Sequence, residues 1–234
     1  MKYKEFFNTH PVFTLTELKS ALNIKNIETL HSNLRYYFNK GKIKNIVQGI
    51  YYVIPDGSKA NTFEPDSMLV TSRLAEDAIL AFHTALEFMG YSHSYFHKYY
   101  YYSSNRKRKI NFKGKEYICI QTPNRLEKKG MKMFGVEEKY YLGLCIKHTI
   151  RERTFVDLLD RPVYGGGIEE IYSCIEKYPY LNFEDIEKYL EILNKKVLFA
   201  KVGFLLEQHK GKFFLEEKWL NRLRKNKPNS IVYF

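Results

Sequence analysis

The stretch that decides the fold of the first part of this chain is residues 26–54, which read NIETLHSNLRYYFNKGKIKNIVQGIYYVI. Asn26 can cap a helix through its side chain. Apolar residues then recur every three or four positions, which predicts a helix with one apolar face. The members of that face are Ile27, Leu30, Leu34, Tyr37 and Phe38. Gly41 is predicted to end this helix.

The elements around this helix predict a winged helix-turn-helix. They are helices over 2–8 and 14–22 before it, and strands over 43–46 and 50–54 after it. Thr14 and Glu17 have the spacing of a capping box at the start of the second helix. Gly49 lies in the turn between the two strands, as expected for a hairpin. Helix, turn, helix and basic hairpin is the order of a winged helix-turn-helix.

The polar face of the predicted third helix carries side chains suited to DNA. Arg pairs with guanine O6 and N7, and Ser and Thr both accept and donate hydrogen bonds. Because the start of a recognition helix reaches the bases, Thr29, Ser32 and Arg35 are predicted base readers. The predicted phosphate contacts on the helix are Lys25, Tyr36, Asn39 and Lys40. On the wing, the side chains that can follow the backbone or enter the minor groove are Lys42, Lys44, Asn45 and Gln48. A solvated helix face, or a winged helix that binds protein, is the alternative.

The charge balance of the chain is strongly basic. Lys and Arg number 38 against 26 Asp and Glu, which gives a net charge of +12. A basic balance favours a polyanionic partner, nucleic acid or an anionic membrane surface, over simple solubility. The apolar fraction of 44% is enough for a hydrophobic core, so the chain is not a disordered tail.

Cysteine usage and hydropathy predict a cytoplasmic protein. Cys119, Cys145 and Cys174 are far apart and show no CxxC spacing, which argues against a disulfide framework and a thiolate zinc site. The chain shows no signal-peptide pattern at its start and no apolar run long enough for a membrane span. We therefore expect reduced thiols and a cytoplasmic location.

Residues 55–66 divide the chain into two predicted domains. The stretch is rich in turn residues, and a basic segment before it gives way to an acidic segment after it. The predicted fold class is α+β, with the winged helix-turn-helix over 1–60 and a mixed α/β domain with a small sheet and flanking helices over 61–234. We expect the two domains to fold separately.

The second domain is predicted to contain three strands between helices. The predicted strands are 99–102, 109–112 and 116–121, and the predicted helices are 66–89, 149–159, 167–177, 182–193 and 196–209. Gly90 is a plausible C-cap for the first of these helices.

A second basic cluster follows the tyrosines at 99–102 and consists of Arg106, Lys107, Arg108 and Lys109. Arginines near aromatic rings can bind phosphates and stack on bases. A charged turn beside a tyrosine-rich strand, with no binding role, would give the same sequence pattern. Both interpretations stay open, and the cluster is a candidate polyanion-binding surface.

No catalytic or metal-binding set emerges from the sequence. His93 and His97 have helical spacing, but the glycine and serines around them do not favour a helix. Asp157 and Asp160 could hold Mg²⁺. An ion pair between Arg153 and Asp157, four residues apart, is the structural alternative. We therefore predict no metal, no cofactor and no enzymatic activity.

In this order, the motifs of the chain resemble the AbiEi family of antitoxins from type IV toxin–antitoxin systems. The matching segments are KGKI at 40–43, QGIYYV at 48–53, SRLA at 72–75, AFHTAL at 81–86, ERTFVD at 152–157, a P…GG pattern at 162–167 and VGFLLE at 202–207. One departure is Gln48, where the family often has Arg. The departure concerns a contact between the wing and a phosphate and does not concern the fold.

The resemblance implies a repressor and antitoxin, with the basic cluster at 106–109 as a candidate antitoxin surface. Its winged helix would bind inverted repeats in its own promoter, and its C-terminal domain would counter a nucleotidyltransferase-type toxin without a stable complex, commonly in phage defence. One alternative is a winged-helix regulator with no toxin. Another, from a different class, is a DNA-acting nuclease that uses Asp157, Asp160 and Glu116.

Overall fold

The computed structural model describes residues 2–105 and 108–230 and has a mixed α+β fold. The first elements are α1 (Tyr3–Thr9), β1 (Val12–Thr14), α2 (Leu15–Ala21), α3 (Ile27–Asn39), β2 (Ile43–Val47) and β3 (Ile50–Val53). The next are α4 (Ser67–Arg73), β4 (Ile79–Leu80), α5 (Phe82–Met89), β5 (Lys98–Ser103), β6 (Ile110–Phe112), β7 (Lys115–Gln121), α6 (Asn124–Lys128), β8 (Val136–Tyr141) and β9 (Leu144–Thr149). The last are α7 (Arg151–Asp160), a 3₁₀ turn (Pro162–Gly165), α8 (Ile168–Ile175), α9 (Phe183–Leu193), α10 (Lys196–Gln208) and α11 (Glu217–Asn226).

Local capping chemistry fixes the helices of the first part where the sequence predicts them. The Glu17 backbone N–H donates to Thr14 Oγ1 at 3.1 Å, and Glu17 Oε2 accepts from the Thr14 backbone N–H at 2.7 Å, so the capping box is present. Asn26 Oδ1 accepts from the Glu28 backbone N–H at 2.8 Å. Gly49 has φ of +81° in the hairpin turn, a conformation that glycine adopts without strain.

The small sheet of the first part is antiparallel, in the order β1-β3-β2, and both of its faces are buried. On one face, Phe13 and Ile43 pack with residues of α1, α2 and α3. On the other face, Val12, Tyr52 and Ile54 belong to a hydrophobic core that they share with the second part of the chain. The small sheet is therefore a middle layer between α3 and the rest of the molecule.

A six-stranded mixed sheet forms the centre of the second part, in the order β6-β7-β5-β4-β9-β8. β5 is parallel to β7, and β4 is parallel to β9. Alternate tyrosines of β5 face opposite sides. Tyr99 and Tyr101 pack in the core that contains the small sheet, whereas Tyr100 and Tyr102 pack against the C-terminal helices.

Several predicted elements of the second part differ from the structure. The helix predicted over 66–89 is two helices, α4 and α5, because β4 pairs with β5 and β9 between them. The Gly90 C-cap is present, with φ of +81°. β8, β9, α6 and α11 were not predicted, and the sheet is larger than the small sheet expected. Within the described ranges, no helix has the length and apolarity needed to cross a bilayer.

Candidate nucleic-acid interface

Two leucines hold α3 against the core of the first part. Leu30 and Leu34 are buried among aromatic side chains that include Phe6 and Phe13. Asn33 Nδ2 also donates to the Tyr3 hydroxyl at 3.0 Å, which fixes the rotation of α3 relative to α1. These contacts turn the opposite face of α3 towards solvent.

The apolar face of α3 is narrower than the sequence predicted. The sequence pattern places Ile27 and Phe38 on this face, but they are 45% and 48% exposed. Tyr37 is partly buried and packs at the margin of the core. The buried stripe is therefore centred on Leu30 and Leu34, and two apolar side chains flank the polar face in solvent.

The polar face of α3 is exposed, and most of its side chains have no partner among the described residues. Lys25, Thr29, Ser32, Arg35 and Asn39 are all exposed, and no other described residue gives their side chains a hydrogen bond or an ion pair. Tyr36 is also exposed, and the Lys40 ammonium lies 5.8 Å from its ring centroid. A row of free donors and acceptors on one helix face can meet base edges or phosphates.

Two of the side chains predicted to contact DNA from the wing have partners within the protein, unlike most of those on α3. Lys42 forms an ion pair with Asp56, and this ion pair lowers the pKa of the Asp56 carboxyl. Lys44 is partly buried, and its ammonium donates to Asn61 Oδ1 at 3.0 Å. Both lysines are thus engaged by the segment that follows β3. Gln48, at the tip of the hairpin, is exposed.

Comparison with known proteins finds similarity in the fold. A similar solved structure is the crystal structure of the RV2827C protein from Mycobacterium tuberculosis, with a TM-score of 0.55 and 15% sequence identity over 94% of this chain and 78% of that chain. No protein-family model matches the sequence. No curated protein matches it significantly. At this identity the similarity concerns the fold alone.

The second predicted basic cluster is only partly visible, since Arg106 and Lys107 lie outside the described residues. Arg108 and Lys109 are exposed, and Lys109 Nζ lies 2.9 Å from Glu116 Oε1. The tyrosines of β5 that precede the cluster are buried in the sheet. They are not available to stack on bases, so any binding here would depend on charge.

The histidines do not form a metal site. His83 is buried, and its Nε2 lies 3.4 Å from Glu170 Oε1. His93 and His97 lie outside helices, so their four-residue spacing does not place them on one helical face. Among the described residues, no group of three or more His, Cys, Asp or Glu side chains is arranged to hold a metal ion.

The carboxylates proposed for a nuclease are engaged in other contacts. Asp157 is buried, accepts from the Tyr189 hydroxyl at 2.6 Å and lies 3.6 Å from Arg153 Nε. Asp160 forms an ion pair with Lys195 at 2.6 Å. Glu116 lies near the start of β7, opposite Lys98 of β5. Asp157 contacts Tyr102, which lies near the other end of β5.

One contact that orients the candidate interface was not predicted. Arg73, at the end of α4, places its Nε 2.9 Å from Glu17 Oε1 and donates from Nη1 to the Cys145 carbonyl at 3.2 Å. Glu17 is the capping-box residue of α2, so one carboxylate both caps this helix and ties it to the large sheet. The partners are far apart in sequence, and no local pattern indicates the contact.

Proposed function

We propose that this protein binds double-stranded DNA through a winged helix-turn-helix in its first sixty residues, with α3 as the recognition helix. The observation that carries the proposal is the exposed polar face of α3, where Thr29, Ser32 and Arg35 have no side-chain hydrogen bond or ion pair with any described residue. The element order, with two helices before α3 and a β2–β3 hairpin after it, supports the same interpretation. The net charge of +12 favours a polyanionic partner.

The biological role that we propose is repression and toxin neutralisation in the cytoplasm. The protein would bind inverted repeats in its own promoter and counter a nucleotidyltransferase-type toxin without a stable complex. This part rests on the resemblance of the ERTFVD, P…GG and VGFLLE segments to AbiEi antitoxins. We propose no catalytic step and no cofactor.

A substitution at Arg35 tests the DNA proposal. We expect Arg35→Ala to weaken binding to the protein's own promoter DNA by about 1–3 kcal/mol, because a guanine contact would be lost. Lys218→Ala removes an exposed charge on α11 and is the matched control, expected to change affinity little. Fluorescence anisotropy with a labelled promoter duplex measures both. If the wild-type protein and the Arg35 variant bind the promoter duplex with equal affinity, α3 is not the recognition helix.

Co-expression tests the antitoxin role. If an adjacent gene encodes a nucleotidyltransferase that arrests growth, we expect this protein to restore growth. Arg35→Ala should keep that ability when expressed from a foreign promoter, because neutralisation is assigned to the second part of the chain. Failure of the wild-type protein to restore growth would favour a regulator that has no toxin partner.

A further inference from the structure

A second unpaired group of cations lies far from α3 in the sequence. Arg125, Lys128, Lys129 and Lys132, which we call the basic edge, are all exposed. Within the described ranges, none of the four side chains has a hydrogen bond or an ion pair. Cations in the C-terminal part of the chain form ion pairs instead, for example Lys195 with Asp160 at 2.6 Å and Lys210 with Glu217 at 2.8 Å.

Two acids lie near the basic edge, and within the described ranges neither forms an ion pair with its cations. Glu127 is the one acid in the sequence 124–133, and its Oε1 is buried beneath the surface. Asp77 lies near Lys132, but its carboxylate accepts from Ser103 Oγ at 2.6 Å and from the Ser104 backbone N–H at 2.8 Å. The surface that the four cations present is therefore positive.

The sheet places the basic edge at the carboxyl ends of two parallel strands. β5 and β7 are in register from Lys98↔Glu116 to Ser103↔Gln121, so they end together. The segment 124–133 follows β7 at that edge. Ligands of open sheets with parallel strands are found outside the carboxyl ends of those strands. The position is thus one at which a binding surface is expected.

A buried arginine holds the segment in one conformation. The Arg153 side chain is fully buried, and its Nη1 donates to the backbone carbonyls of Lys132 at 2.9 Å and Phe134 at 2.7 Å. Leu126 is buried as well, and its carbonyl accepts from the Met131 backbone N–H at 2.8 Å. The cations are therefore presented on a fixed backbone, which lowers the entropy cost of binding.

The basic edge and the polar face of α3 belong to different layers. α3 packs on one face of the small sheet, and the six-stranded sheet lies on the other side of it. Packed sheets are about 10 Å apart. A duplex bound to the outer face of α3 would be separated from the edge by the small sheet and by α4.

We propose that the basic edge binds the phosphodiester backbone of a nucleic-acid strand other than the duplex held by α3. Four cations within eight residues match repeated phosphates better than a single anion. Met131 lies between the cations and Met133 directly after them, and both are exposed apolar side chains that do not donate hydrogen bonds to base edges. Binding at this edge is therefore independent of sequence. It does not depend on α3.

The test uses the full-length protein with all four cations of the edge changed to Gln. The matched control changes four exposed lysines of α9, α10 and α11 to Gln, namely Lys188, Lys196, Lys218 and Lys225. The probes are a labelled single-stranded RNA of mixed sequence, about 20 nucleotides long, and a DNA strand of the same sequence. Anisotropy is measured over a range of salt concentrations, and circular dichroism checks that both variants are folded.

We expect the edge variant to bind the RNA at least tenfold more weakly than the control variant at low salt. The plot of log affinity against log salt concentration should become shallower, and the magnitude of its slope should decrease by up to about 3. Each lost phosphate contact contributes about 0.7 to that magnitude for a single strand. If the edge variant loses as much affinity for the DNA strand as for the RNA, the edge recognises the phosphodiester backbone common to both. If it loses affinity for the RNA alone, the bound strand is RNA. Promoter duplex should not displace the bound strand.

Three results would overturn the proposal. They are an edge variant that binds like the wild-type protein, an equal loss in the control variant, and a loss seen only with the promoter duplex. The Arg35→Ala protein separates this inference from the DNA proposal. It should bind the single strand normally, so failure at α3 and failure at the edge are distinguishable.

Discussion

At the scale of single residues, the Glu170 carboxylate organises the segment that links α5 to β5. Its Oε1 accepts backbone N–H groups from His93 at 3.1 Å and Ser94 at 2.8 Å, and its Oε2 accepts from Ser94 Oγ at 2.8 Å. Burial alone would raise its pKa, but these hydrogen bonds stabilise the charged form and lower the pKa to about 2. The free energy of folding should therefore depend on the charge of Glu170.

Removing that charge should produce a pH-dependent loss of stability. A carboxyl pKa that falls from 4.5 to about 2 on folding contributes about 3 kcal/mol. This contribution is complete above pH 4.5 and is lost as the pH falls towards 2. We expect Glu170→Gln to lower the free energy of unfolding by up to about 3 kcal/mol at pH 7, and the difference from wild type to shrink below pH 4.5.

Urea unfolding at pH 7 and at pH 3 measures the effect. Glu169→Gln is the matched control, because Glu169 is exposed in the same turn of α8. A loss that is equally large at both pH values would mean that the Glu170 contacts depend on the shape of the side chain and not on its charge.

At the scale of secondary-structure elements, the helices and the β2–β3 hairpin of the first part could be predicted from local signals, whereas β1, which pairs with β3, could not. The caps at Thr14 and Asn26 and the glycine at 49 act within a few residues, so the helices and the hairpin lie where they were predicted. The two buried faces of β3 also had a signal in the sequence. Residues 50–54 read IYYVI, an unbroken apolar run that is typical of a strand covered on both sides.

Elements that depend on distant partners could not be read in the same way. β4 has two residues and exists because β5 and β9 pair with it, so its sequence merges with the helical patterns on either side. β8 is an edge strand whose Glu137, Glu138 and Lys139 are exposed, and it lacks an alternating apolar pattern. Pairing with β9 stabilises it.

In the candidate interface too, local features could be predicted and contacts with distant residues could not. Exposure of the polar face of α3 follows from helical periodicity, and the sequence predicted it. The engagement of Lys42 by Asp56 and of Lys44 by Asn61 depends on how the chain after β3 folds back. The Arg73 contact with Glu17 likewise joins positions that are distant in sequence.

At the scale of the whole molecule, the two predicted domains share a hydrophobic core. Val12 and Tyr52 of the small sheet lie in one cluster with Leu69 of α4 and Tyr101 of β5. The Tyr52 ring also meets Phe112 with centroids 5.8 Å apart. Separate folding of residues 1–60 stays a prediction, and it would expose this face of the small sheet to water.

The shared core predicts that the full-length protein unfolds in one cooperative transition. Tyr52 is 1% exposed and contacts the second part of the chain, so Tyr52→Ala should lower the free energy of unfolding by about 3–5 kcal/mol. The single transition should move to lower temperature as a whole. Tyr51→Ala is the comparison, because Tyr51 points to the other face of β3 and stacks on Phe13 with centroids 5.5 Å apart.

Calorimetry combined with a far-UV circular dichroism melt distinguishes coupled from independent folding. If the shared core couples the two parts, each variant shows one transition, and the calorimetric and van't Hoff enthalpies agree. If the parts fold independently, two transitions appear. Tyr51→Ala would then shift only the transition of the first part, because its contacts lie within that part. Tyr52→Ala in that case would leave the second transition at its wild-type temperature, which contradicts a shared core that stabilises both parts.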